Sequence, residues 1–574
     1  MPVGHDKKTD AGRTDAGRAV LASLRAERVR RVFTLPGSHI LPVYDAILHE
    51  SDIELAVCKI EASISVMADV HGRLTGEPGV CLVTAGPGAL NSTGGVAQAM
   101  ASASPLVHIS GATPPDAGLE AFHGVDDPLF TLKMFAPITK WSVQVGRIEE
   151  IPQILARAFH IARSGRPGPV HVEIPRETNT SVHMLSSEEA AAPPHTSLPP
   201  AFAGPGEEAL GKLLDALSRA ERPVIVAGKG ILRRGAGPLL GEVAERLAAP
   251  VVQVQDALGA LADSHPCAAG FCSMWSVSPA ARGFFEEADL VLAVGMREDT
   301  STARRLAEVL KAPLYLASFD GDGAATADGA APASGGSIFR ADPLALLEAL
   351  REGAAEAPAE RREEVHRAIS AARERERAQM RELLDQFRNE TPLHPGVVID
   401  ALCREMPEDA ILASDVGNCA VWLRNQVPLR GPFSHLQSGT WNSMGFALPA
   451  CIAARLAFPD RAAVGVIGDG AFLMTAGEFS TAADLGAPIV MVVLNDAGFG
   501  MIARMQQISF GREGGFAYRE ADFAQLARSL GGEGFRVEAP EELAPALRSA
   551  FAAGAPAVVD VRTGNYPYPA FEFK

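Results

Sequence analysis

The sequence predicts an α/β protein of three doubly wound domains with parallel sheets. Short apolar runs alternate with helix-like segments in three blocks, and breaks in composition separate those blocks. The clearest unit is local. Val464–Ile467 is an apolar run ending on Gly468-Asp469-Gly470, a helix-like segment covers Thr475–Leu485, and a second apolar run, Ile489–Leu494, ends on Asn495-Asp496. Such a β-α-β unit has a right-handed crossover and parallel strands. Both acidic residues therefore fall on one sheet edge, at the strand carboxyl ends where open α/β sheets bind ligands.

The first domain is expected over residues 14–185, with strands near Val32, Leu55, Val80 and Val107 and a closing strand in Gly168–Pro175. The Ser/Glu/Ala/Pro-rich stretch Ser186–Gly206 reads as a linker. The second domain, 206–350, holds the runs Arg222–Gly228 and Leu290–Gly295 and fades into a small polar loop, Gly321–Ala330. Glu360–Arg388 has the charge pattern of a solvated connector helix. The third domain, 385–574, carries the acidic pair.

A chain of 574 residues with 47% hydrophobic residues is too long for one core and rich enough for several. Its net charge of −17, with no basic stripe, excludes general nucleic-acid binding. No apolar run reaches the ~18–20 residues of a membrane span, so no membrane association is expected. Met1–Lys8 is polar without a signal-peptide core, and a cytoplasmic location is expected. The seven cysteines lack metal-ligand spacing and read as reduced, buried thiols.

Two carboxylates beside turn glycines suit a small hard cation, most simply Mg²⁺. Asp469 and Asp496 would supply two oxygens and a main-chain carbonyl near Gly498 a third. Backbone N–H groups of a Gly-rich turn favour a phosphate beside it. Gly-Asp-Gly alone also occurs in ordinary turns; the Asn-Asp at the end of the next strand is what raises it above them.

Taken together, Gly468-Asp469-Gly470 and Asn495-Asp496 resemble the binding motif of thiamine-diphosphate enzymes, which begins Gly-Asp-Gly and ends Asn-Asn at about this distance. Asp496 replaces the second Asn and adds negative charge beside the diphosphate. The resemblance continues at Glu61, after the run Ile53–Ile60, where the family's glutamate hydrogen-bonds the cofactor's aminopyrimidine and drives formation of its reactive form. Ile60 and Ala62 depart from the family's usual His-Glu-Gln. Gly86-Pro87-Gly88 and Asn91 read as a strand-to-helix turn where backbone approaches the ligand. By the same resemblance Asn418 and Cys419 sit where relatives contact the diphosphate, Met444 matches the bulky residue that bends the cofactor, and Gly468, Gly470, Ala471 and Met501 belong to the cofactor's surroundings.

The match is nearest to the acetolactate synthase-like group, through Val32–Gly37, Ala136–Lys140, Ile161–Pro169 and Met444–Pro449, and it covers nearly the whole chain. It implies pyrimidine-binding, central and diphosphate-binding domains in that order. It also implies decarboxylation of a 2-oxo acid, pyruvate first, with transfer of the acyl anion to a carbonyl acceptor. A decarboxylase or C–C lyase of the same superfamily is the alternative, and a catalytically silent subunit a third. Arg297 matches an arginine that receives a substrate carboxylate. Met505 stands where relatives have a substrate-selecting tryptophan, and Phe122-His123 where they have Phe-Gln, so His123 becomes a candidate proton carrier. FAD, held by some relatives in the middle domain, is left in doubt because Ala317–Gly323 lacks their acidic stretch. In relatives the active sites lie at subunit interfaces, which implies a homodimer or homotetramer.

Overall fold

A computed structural model of the chain describes residues 14–113, 122–175, 182–183, 204–319 and 334–566. The chain divides near residue 200 into two compact units. Each of the three predicted sheets is present, parallel and six-stranded.

The first unit is built on Arg31–Thr34 (β1), Glu54–Val57 (β2), Gly79–Val83 (β3), Leu106–Ala112 (β4), Trp141–Gln144 (β5) and Pro169–Pro175 (β6), in the spatial order β2-β1-β3-β4-β6-β5. Every residue of β3, β4 and β6 is buried, which is why these segments read as continuous apolar runs rather than alternating ones.

The second unit holds two sheets. Its first comprises Pro223–Ala227 (β7), Val251–Val254 (β8), Ala268–Cys272 (β9), Leu290–Met296 (β10), Leu314–Ser318 (β11) and Gly336–Arg340 (β12), ordered β9-β8-β7-β10-β11-β12. That is the 3-2-1-4-5-6 winding of dinucleotide-type sheets. Its second comprises Ile411–Ser414 (β13), His435–Leu436 (β14), Ala463–Gly468 (β15), Ile489–Asn495 (β16), Glu533–Val537 (β17) and Ala557–Arg562 (β18), ordered β14-β13-β15-β16-β18-β17. The first and last sheets of the chain are thus wound in the same order.

Seven helices concern the sites: Glu61–Thr75 (α1), Pro87–Asn91 (α2), Ala359–Asp385 (α3), Asn418–Gln426 (α4), Asp469–Thr475 (α5), Glu478–Asp484 (α6) and Gly500–Phe510 (α7). The helix expected over 475–485 begins earlier, at Asp469, and breaks at Ala476-Gly477, where glycine weakens helix continuity. Helix α3 is the expected charged connector, and only Ile369 and Leu384 of its side chains are fully buried. Within the second unit its Arg373 pairs with Asp263 at 3.1 Å, and Asp263 also accepts from the Leu429 N–H at 3.0 Å. All seven cysteines are free thiols. Of the expected linker Ser186–Gly206, residues 186–203 lie outside the described residues, as does the loop Gly321–Ala330.

Candidate functional site

Parallel pairing of β15 with β16 sets Gly468 opposite Leu494, so Asp469 and Asp496 emerge side by side from one sheet edge. They line one cleft with Asn418, Cys419, Met444, Gly468, Gly470, Ala471, Gly498 and Met501. The structure therefore gathers every residue predicted from this domain into one place except Met505, which is half exposed on α7 and is not part of the cleft wall.

Asp469 is 2% exposed. Its Oδ1 accepts from the Gly470 N–H and from the Tyr518 hydroxyl, both at 2.8 Å, whereas its Oδ2 is buried without a partner among the described residues. Burial raises the carboxyl, opposed by the Tyr518 hydroxyl and the N–H groups of Gly470, Ala497 and Gly498. Asp496 is pushed up to about 7, first by burial and then by the charge of Asp469. A buried acid whose charge raises a half-buried neighbour marks a site short of positive charge.

The backbone is shaped to the same end. Ala497, between Asp496 and Gly498, has φ 54°, a left-handed conformation unfavourable for a side chain. A Cβ at Gly500 would lie 2.6 Å from Asp496 Oδ2 and would push that carboxylate out of its place. Residues 497–499 are held by a returning segment: the Phe499 N–H bonds the Phe516 carbonyl and the Tyr518 N–H the Ala497 carbonyl, both at 3.0 Å. This return delivers Tyr518 to Asp469. Asn495, by contrast, turns its amide away to the Ala521 carbonyl and Asp560, at 2.9 and 3.0 Å, and anchors the strand end.

Met444 is held from below. Buried Asp415 accepts from the Gly445 N–H at 3.0 Å and the Ala447 N–H at 2.8 Å, tying the turn that presents Met444 to the end of β13. Burial pushes the Asp415 carboxyl up to about 6 against these and other N–H donors. Cys419, also buried, donates its thiol to the Asp415 carbonyl, and burial pushes that thiol up, away from thiolate chemistry.

In the first unit, Glu61 is the first residue of α1 and 8% exposed, beyond the carboxyl end of β2. Asn91, at the end of α2, donates to its Oε2 at 3.1 Å. Its Oε1 lies 3.4 Å from where a Gly88 Cβ would stand. Gly86 caps α2 with φ 58°, and a Cβ on it would meet the His123 carbonyl at 2.2 Å. Pro87 takes the first helical position, where its missing N–H costs nothing. His123, with φ 66°, stacks on buried His39 at 4.9 Å and on exposed Phe122 at 4.0 Å, and its buried Nδ1 has no partner among the described residues. Glu61, Gly86, Gly88, Asn91, Phe122 and His123 thus share one rim. Arg297 follows β10 and its guanidinium already forks onto Asp299, with the shorter of the two contacts at 2.5 Å.

Three regions match models of thiamine pyrophosphate enzymes: residues 14–128 the N-terminal TPP binding domain, 210–333 the central domain and 415–561 the C-terminal TPP binding domain. The chain belongs to the thiamine pyrophosphate enzyme family. Among its relatives, a probable acetolactate synthase large subunit of Methanocaldococcus jannaschii is 31% identical over 95% of this chain and 91% of the relative. The isozyme 1 large subunit of acetolactate synthase from Escherichia coli K12 is 30% identical over 94% and 92%. The mitochondrial acetolactate synthase catalytic subunit of Saccharomyces cerevisiae is 30% identical over 93% and 78%. The Glu61 rim therefore lies in the N-terminal TPP binding domain and the Asp469 cleft in the C-terminal one. The cleft's donor set fits what such a domain must hold: the buried Asp469 carboxylate with an unpartnered oxygen, the half-buried Asp496 carboxylate, and the unpartnered Asn418 Oδ1. Tyr518, Asp415 and His39 are the parts of this family site that sequence reasoning missed. Tyr518 and His39 lie in no motif, Asp415 only opens the segment that carries Asn418 and Cys419, and each acts through a contact that only the folded chain makes.

Proposed function

We propose that the chain is a thiamine-diphosphate- and Mg²⁺-dependent carboligase of the acetolactate synthase type. It decarboxylates a 2-oxo acid, pyruvate first, and passes the acyl anion to a carbonyl acceptor. The observation that carries the reading is the unpartnered, buried Asp469 Oδ2 beside Asp496 in a glycine-walled cleft. When bound, thiamine diphosphate supplies the nucleophilic carbon and the electron sink that decarboxylation requires.

The chain's own residues do the rest. Asp469, Asp496 and the Gly498 carbonyl would hold the cation, whose charge would offset both acids beside the diphosphate. Tyr518 occupies Asp469 Oδ1 and so leaves Oδ2 for the metal, as outer-sphere partners do. Asn418, Cys419, Gly468, Gly470, Ala471 and Met501 wall the cleft. Met444, braced through Asp415, fixes the bend of the bound cofactor. Glu61, steadied by Asn91, exchanges a proton with the aminopyrimidine, and the Gly86-Pro87-Gly88 turn lets backbone approach it. Arg297 receives the substrate carboxylate once its fork with Asp299 opens, and Phe122 and Met505 flank the substrate. Flavin has no role in this reading, which the visible spectrum of the purified protein tests. A homodimer or homotetramer acting in the cytoplasm completes it.

One observation favours decarboxylation to a free aldehyde instead: the buried, unpartnered Nδ1 of His123, a group that can carry a proton. A product screen by mass spectrometry decides. Pyruvate alone, and with aldehydes or a second 2-oxo acid, is expected to give ligated hydroxy-ketone products. Free aldehyde with no ligated product would sink the carboligase assignment in favour of the decarboxylase.

A further inference from the structure

Away from the cofactor cleft, the second unit has a half-open cavity of about 430 Å³ among the middle sheet, α3 and the carboxyl end of α4. Its size lies within the ~300–1,000 Å³ typical of small-molecule sites. Two buried polar atoms on α4 are without partners there, Asn425 Oδ1 and Gln426 Nε2. Buried polar groups are normally paired, so each marks a missing partner. One is an acceptor and the other a donor, so that partner carries both a hydroxyl-type donor and an oxygen acceptor.

The charge of the walls narrows the choice. Asp263 is neutralised by Arg373 at 3.1 Å, and Asp400 pairs with Arg404 and, at 3.5 Å, with Arg388. Arg377, on the same face of α3 as Arg373, is exposed at the cavity, and its charge acts on Asp263 and Glu376 without a close ion pair among the described residues. Arg424 adds a second guanidinium, bonded to Gln255 at 3.0 Å and lying over the Phe271 ring at 5.1 Å. Burial pushes Glu376 up to about 7, so near neutrality only about half of its negative charge is present.

The same helix reaches the other site. Helix α4 has nine residues; Asn418 and Cys419 at its start line the cofactor cleft, and Arg424, Asn425 and Gln426 at its end line this cavity. We propose that the cavity binds a small hydroxylated oxyanion, carboxylate or phosphate, and that its occupancy changes cofactor affinity through α4. The proposal rests on the family's cofactor cleft and not on the substrates assigned above.

The test is calorimetry on the full chain with thiamine diphosphate and Mg²⁺ present. The probes are malate and glycerol 2-phosphate, with succinate and inorganic phosphate as the counterparts that lack the alcohol hydroxyl. Malate, glycerol 2-phosphate or both are expected to bind, at least about fivefold tighter than the counterpart, and to shift cofactor affinity by about fivefold or more, a usual scale for coupled sites. The double variant Arg377→Ala/Gln426→Ala, melting like the wild type, is expected to lose about tenfold in probe affinity and to show no cofactor shift, while its cofactor affinity without probe is unchanged. Equal binding by the variant, or no binding of any probe to the wild type, overturns the site. Equal binding of the counterparts overturns the hydroxyl, and binding with unmoved cofactor affinity overturns the coupling. Which of the two probes binds tells a carboxylate ligand from a phosphate ester.

Discussion

The first and last sheets of this chain share one winding order, yet their carboxyl edges carry opposite chemistry. Among the described residues the N-terminal rim offers a single acid, Glu61, with an amide partner and a stacked pair of imidazoles nearby. The C-terminal cleft packs two acids together, with a phenol on one of them and no cationic side chain in its lining. A lone carboxyl beside an amide is suited to passing a proton; a crowded pair is suited to gripping a cation. The comparison teaches that the frame is neutral and that a few rim residues decide what each sheet does.

The sharpest way to break the comparison is Glu61→Gln. It is expected to lower kcat by about 10²- to 10⁴-fold, the range for lost acid–base catalysis, while calorimetric binding of thiamine diphosphate stays within about threefold. A variant that keeps wild-type turnover would remove Glu61 from the proton step. Asp469→Ala should behave in the reverse sense, weakening Mg²⁺ and cofactor binding by more than about 100-fold, beyond what loss of an outer-sphere partner produces. If cofactor affinity survives, the cleft is not the cation site.

Tyr518→Phe isolates positioning from ligation. Mg²⁺ affinity is expected to fall about 10- to 100-fold, with kcat at saturating Mg²⁺ nearly unchanged. A fall in kcat with unaltered Mg²⁺ affinity would assign the tyrosine elsewhere.

Asp415→Asn has the smallest expected effect, and it depends on pH. The folded carboxyl is raised from 3.8 to about 6. Between those values the folded chain holds a proton that the unfolded chain has released, so this contribution to stability is full below the lower value and falls as pH rises through the upper one. Its size is at most roughly 3 kcal/mol, about two units at 1.36 kcal/mol each. The variant cannot titrate, so its melting temperature relative to wild type should rise from about pH 4 to about pH 7. A difference that stays flat across that window would contradict the raised carboxyl.

How much of this was legible follows from which contacts are local. The fold class and the Asp469–Asp496 pair could be read because strand, turn and strand are contiguous and parallel pairing follows from the crossover. Glu61 could be read because it follows an apolar run directly and opens a helix. Tyr518 could not, because it reaches Asp469 only through the pairing of 516–518 with 497–499. Asp415 was visible as part of a motif, but its role as the brace under Met444 depends on N–H groups far along the chain. Arg297 was singled out by its place in a motif, and nothing at that position announced that Asp299 would take its fork. Asn495 was not read as a ligand, and pleating, which sends alternate side chains to opposite sides, turns it away from Asp496 to anchor the strand end.

Ala497 carries one last consequence. Its left-handed backbone, φ 54°, sets the course of the chain into Gly498, whose main-chain oxygen is the third donor proposed above. An oxygen donated by the main chain survives any side-chain replacement that leaves the turn intact. Asp469 and Asp496 can each be erased by a single codon change; the third oxygen cannot. Genetic drift can therefore strip this cleft of its acids sooner than of its shape, and a lineage that lost them would still carry the mould of the site.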